Sequence, residues 1–104
     1  MSAQRDDPDR KNPTEDIMNI AQAPHGINLV VETERAVYIG RFDQTNGFQV
    51  RLHDAAKHEV APGELRDDYI RQTAKYGVPV QHKDLEFEAQ GILRVRRLGD
   101  IPKA

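Results

Sequence analysis

The 104-residue chain reads as mainly β: a five-stranded, strongly bent antiparallel barrel with an N-terminal helix and an inserted helix. Three observations predict this. Apolar, β-branched stretches recur between Ile27 and His53, separated by short polar turns, and the last of them alternates strictly. Asn46-Gly47 lies between the second and third stretches, and both residues tolerate the positive φ that a tight hairpin requires. Gly40, Gly47 and Gly91 stand where a small sheet would have to bend. Five short strands laid flat would have a shallow core and two open edges; bending them into a partly closed barrel relieves part of that problem.

The elements follow in order. Residues 1–12 hold Met1 and Ala3 and no other apolar side chain, too little to offset the entropy of ordering, so they read as a disordered tail. One domain then spans 13–104. Asn12 suits an N-cap, Pro13 the first helical position and Glu15 the third, which starts a helix over about 13–22 with Ile17, Ile20 and Ala21 on one stripe. Pro24 and Gly26 close it. Strands are expected at 27–32, 36–42 and 48–53, the third placing Phe48, Val50 and Leu52 on one face. Residues 54–62 show no clear period. Pro62-Gly63 is a turn, and Glu64 to Tyr76 reads as a helix with Leu65, Tyr69 and Ile70 on one face, within an insertion of about 63–77. Gly77 fits a left-handed C-terminal cap. Strands return at 85–89 and 92–98.

Composition excludes several function classes. There is no cysteine, hence no disulfide framework, zinc-thiolate site or cysteine nucleophile, and the chain suits the cytoplasm. No apolar run approaches the ~20 residues of a membrane helix, and the N-terminus lacks the apolar segment of a secretory signal. The net charge of −2 gives no general attraction to nucleic acid or membrane. Aromatic residues make up only 6% of the chain, a thin inventory for a lone small domain, so burial through self-association is expected.

The chemistry-bearing residues point away from an enzyme. His53 and His58, with Asp54 beside them, could supply metal ligands, but their spacing aligns them on neither a helix nor a strand, and scattered surface histidines are the expected case. Ser2, the only serine, lies in the tail. Glu32/Glu34 and Glu86/Glu88 alternate on strand faces and read as solvated. Neither glycine-rich phosphate loop is present. No catalytic residue, metal or cofactor is therefore expected. The most informative charges are Arg94, Arg96, Arg97 and Lys103, opposed only by Asp100 after residue 91. Arg94 and Arg96 share a strand face that could track phosphates, or could pair with Glu86 and Glu88 on a neighbouring strand.

The segment from Tyr38 to Ala55 resembles the first motif of the Sm-like (LSm) family, a branch of the small SH3-like barrels. Gly40, Phe42-Asp43, Asn46 and Asp54-Ala55 match that motif, and Phe87 to Val95 is similar to the second. Gln90 stands where many members carry a base-binding Arg, the turn at 43–47 is one residue short, and the inserted helix exceeds the usual connection. The resemblance implies a homo-oligomeric ring of five to seven subunits, closed by edge pairing of the fourth and fifth strands. It also implies single-stranded RNA at Asp43, Thr45, Asn46, Gln90 and Gly91; the charge pattern adds Arg94 and Arg96 as candidate phosphate contacts. The alternative expectation is a scaffold barrel that oligomerises without nucleic acid.

Overall fold

The computed structural model describes residues 20–102. Five strands form one antiparallel sheet: β1 (Asn28–Thr33), β2 (Ala36–Thr45), β3 (Gln49–Glu59), β4 (His82–Glu88) and β5 (Ile92–Arg97). Helix α1 (Arg66–Tyr76) lies between β3 and β4. The strand order is β4-β3-β2-β1-β5, so β4 and β5 are the two edges, and the sheet does not close between them. The expected tail and most of the helix over 13–22 lie outside the described residues; the described end of that helix, Ile20–Gln22, is a 3₁₀ turn.

The sheet bends because its long central strands carry irregularities. Ile39 pairs with Ala56 and Arg41 with His53, so Gly40 faces both Asp54 and Ala55. Asp54 is the extra residue of this bulge and adopts φ 48°, the left-handed region that Asp tolerates better than most side chains. Glycine is required at 40 because an added Cβ would lie 2.5 Å from Ala55 Cβ and 2.9 Å from its Cα. A second irregularity leaves Asp43 unpaired between Phe42 and Gln44.

β1 and β2 are buried on both faces, one by the sheet's own side chains and the other by α1 and Ile101. On the concave side Leu29, Val31, Phe42, Val50, Leu52, Ala55 and Val95 form one core, with Leu85, Phe87 and Ile92 of the edge strands packed on it. Tyr38 and Phe87 stack across this side with centroids 3.9 Å apart. On the convex side Val30, Val37 and Ile39 meet Ile70 of α1 and Ile101. The unbroken Leu29-Val30-Val31 run is the sequence trace of a strand covered on both sides. An 11-residue helix is marginal alone. It is held here by Ile70, 1% exposed, and ended by Gly77 at φ 96°, whose N–H donates to Thr73 O at 2.8 Å.

Several sequence expectations are corrected. The stretch without a period after His53 continues β3 to Glu59; the bulge at Asp54 and the consecutive buried Ala55 and Ala56 break the alternation. Phe48 is 80% exposed rather than on the inner face, because β3 begins one residue later. Leu65 and Tyr76 are exposed, leaving Ile70 and Thr73 as the buried positions of α1. Leu93 leaves the face of Val95: Glu32 pairs with Arg94 and Thr33 with Ile92, so Leu93 is the extra residue of a bulge and projects outward.

Replacing Gly40 with Ala is expected to cost about 1–3 kcal/mol through overpacking. Urea midpoints of Gly40→Ala, Ala55→Gly and the double variant test this. A double variant more stable than additivity predicts would show that the two backbones' approach sets the bend.

Candidate functional site

Two turns meet at one end of the sheet. In the β2–β3 turn, Asn46 Oδ1 accepts from the N–H groups of Phe48 (2.8 Å) and Gln49 (2.9 Å). Thr45 Oγ1 donates to Gln49 O at 2.7 Å and accepts from Gly47 N at 3.2 Å. Thr45 and Asn46 thus spend their oxygens on the turn, the local bonding that makes these residue types good turn formers. The Asn46 amide NH2 keeps its donors. The β4–β5 turn reverses through Gly91 at φ 92° and is tied to the first by Ala89 N donating to Phe48 O at 2.8 Å.

A cavity of about 470 Å³ opens between them, lined by Asn46, Phe48, Gln49, Glu88, Ala89 and Gln90, with Gly47 at its rim. Of the residues singled out in the sequence, Asn46 and Gln90 come together here, and Thr45 borders the adjoining groove with Arg51 and Glu86. Sequence reasoning missed Phe48 and Glu88. Phe48 looked like a core residue because it continues the period of Val50 and Leu52; its place directly after Asn-Gly is the signal that it belongs to the turn.

Asp43 is held nearby in a charged cluster on the outer side. Its carboxylate lies 3.3 Å from His53 Nε2, 3.8 Å from His25 Nδ1 and 3.9 Å from Arg51. His53 Nδ1 meets Asp84 Oδ1 at 2.6 Å, so both its ring nitrogens face carboxylates. Arg51 binds Glu86 at 2.5 Å. His58 pairs instead with Glu64 and stacks on Tyr69, and Asp54 pairs with Arg41 at 2.7 Å. The considered His53–Asp54–His58 metal set is therefore dispersed, and no group of three or more His, Asp or Glu side chains is placed to hold a metal ion among the described residues. Glu64, bonded first by the Ala61 N–H and then by His58, has its carboxyl held below the usual range.

Arg94 and Arg96 lie elsewhere. β5 is not a neighbour of β4, so the pairing with Glu86 and Glu88 considered above does not occur. Both arginines turn to Glu32 of β1, which is 3% exposed rather than solvated. Arg94 Nε and Nη2 donate to its two oxygens at 2.6 and 3.0 Å, and Arg96 Nη2 donates at 3.0 Å. Arg66 of α1 stands 3.8 Å away and donates to Thr33 O and Glu34 O at 2.6 and 3.0 Å. Burial pushes the Glu32 carboxyl up, but the hydrogen bond and charge of Arg94, joined by Arg96, outweigh it and hold the group below its ordinary value.

Comparison with protein families, curated proteins and solved structures finds no match.

Removing the Glu32 charge leaves clustered guanidinium groups without their carboxylate. Glu32→Gln is expected to destabilise by about 3–5 kcal/mol, read as a shift in urea midpoint. The depressed carboxyl also fixes a pH dependence. Its stabilisation is full above the ordinary Glu value of about 4.3 and is lost as pH falls toward the depressed value. The acid limb of stability against pH should therefore flatten in Glu32→Gln.

Proposed function

We propose that this chain is a subunit of an Sm-like ring, in which β4 of one copy pairs with β5 of the next, and that its two meeting turns bind single-stranded RNA. The observation that carries the reading is the convergence of Asn46 and Gln90 on one cavity. The resemblance assigns both positions to RNA, and they are 44 residues apart in a chain of 104.

Assembly draws support from the strand order. β4 and β5 are the free edges of this sheet, the same two strands that the resemblance pairs between subunits. Unpaired strand edges are templates for another chain. Leu93, 64% exposed on β5, is an apolar side chain that such pairing would cover. Its bulge confines the regular edge of β5 to Arg94–Arg97.

A second reading, assembly without RNA, is favoured by the charges. Arg94 and Arg96 are engaged with Glu32 and Arg51 with Glu86, so these arginines are not left unpaired for phosphate. Fluorescence anisotropy of labelled A-rich and U-rich oligonucleotides separates the two readings. RNA binding at micromolar protein supports the first, and no binding by an assembled protein supports the second. Light scattering tests the assembly common to both: a mass of five to seven subunits is expected for the native chain, with a fall toward the monomer in Leu93→Glu. A native chain that stays monomeric across concentration would contradict both.

A further inference from the structure

We infer that a second cavity, at the opposite end of β2 and β3, binds a small organic monoanion, a carboxylate carried on an apolar body, and that Arg35 takes the carboxylate. None of the described residues that line it belongs to the site between the two turns, so it stands apart from the RNA reading. None of them comes from the edge strands β4 and β5 either.

The cavity measures about 520 Å³, within the range of small-molecule sites. Tyr38, Val60 and Pro62, with Ala36, give it an apolar wall. This wall is set in place before any ligand arrives. Tyr38 is stacked on Phe87, with centroids 3.9 Å apart and ring planes 7° from parallel. The Val60 N–H donates to the Arg35 carbonyl at 2.8 Å. Thr33 Oγ1 accepts from the Ala36 N–H and donates to the Ala36 carbonyl, both at 3.2 Å. Arg66 holds the carbonyls of Thr33 and Glu34 from the side of α1. The β1–β2 turn is therefore fixed by both of its neighbours, and little backbone freedom is left to lose on binding.

Arg35 projects from this fixed turn. Its exposed side chain makes no hydrogen bond or ion pair among the described residues, whereas Arg94 and Arg96 are committed to Glu32 and Arg51 to Glu86. A guanidinium fork matches the two oxygens of a carboxylate. Lys57 supplies a second positive charge on the same wall, its ammonium 3.5 Å from Glu59 and 5.8 Å from the centre of the Tyr38 ring. Two cations against the single carboxylate of Glu59 leave one net positive charge in the lining. That balance suits one negative charge. A phosphate dianion, or a run of phosphates, would meet Glu59 with its second charge uncompensated. The apolar wall then takes the body of the ligand by ordinary burial.

Sodium 1-naphthoate and its uncharged analogue 1-naphthamide, added separately to the isotope-labelled full chain, test this through amide chemical shifts. Naphthoate should shift the amides of residues 33–38 and 57–60 to saturation. Naphthamide and inorganic phosphate should bind there at least about 10-fold more weakly, since each lacks one half of what the site recognises. Arg35→Gln should weaken naphthoate by about 10- to 150-fold. Glu59→Gln removes the like charge and should tighten it by up to about 5-fold, a gain that damage to the fold would not produce.

Naphthoate shifts that fail to saturate, or that fall outside these two segments, would overturn the site. Naphthamide or phosphate bound there as tightly as naphthoate would overturn the assignment to a carboxylate on an apolar body. Native affinity in Arg35→Gln would overturn the role of Arg35. Should Arg35→Gln fail to fold, against what its exposure predicts, the naphthamide comparison and Glu59→Gln still decide.

Discussion

A buried carboxylate has to be surrounded by donors, and the way Glu32 meets that demand organises much of this small fold. Glu32 sits on β1, beside the edge strand β5, and its partners come from distant parts of the chain: Arg94 and Arg96 from β5, Arg66 from the start of α1. Strand pairing alone would leave β5 attached to β1 by a short ladder broken at Leu93. The shared carboxylate adds charge-assisted bonds on the side of the sheet away from the concave core. It also brings in Arg66, whose guanidinium ties α1 to the β1–β2 turn through the carbonyls of Thr33 and Glu34. Crowding guanidinium groups onto one carboxylate has a cost: Arg96 Nε is buried without a hydrogen-bond partner.

That commitment also shapes what the protein can offer a ligand. A row of arginines near the C-terminus looks from the sequence like a phosphate-binding strip, but Arg94 and Arg96 are spent internally. What remains at the end of the sheet formed by the β2–β3 and β4–β5 turns is polar and aromatic, and its nearest arginine, Arg51, is paired with Glu86. The same sheet leaves β4 and β5 unpaired on their outer sides, so the features that limit phosphate binding coexist with edges open to another copy.

Much of the fold was legible in the sequence because it depends on local signals. The alternation at 49–52, the Asn46-Gly47 turn, the polar break at 33–35, and Gly77 after a helical stripe each act within a few residues, and the strands and helix appear where they predict. The misreadings arose where distant residues decide. Asp54 continues β3 only because Gly40 on the neighbouring strand lets Ala55 approach. Glu32 alternates like a solvent-facing residue and is buried because Arg94 and Arg96 arrive from more than 60 residues away. Of the site, Asn46 and Gln90 could be named from the motif. Phe48 is masked because an aromatic one position before a strand has the same pattern as one inside it, and only its place directly after Asn46-Gly47 marks it as a turn residue.

The two free edges are the feature on which the functional reading depends, and amide hydrogen exchange addresses them directly. If copies of the chain pair β4 with β5, outward-facing amides in His82–Glu88 and Arg94–Arg97 should gain protection together as protein concentration rises, while the amides of β1 and β2 stay unchanged. Exchange at both edges that remains fast and independent of concentration would contradict assembly through these strands.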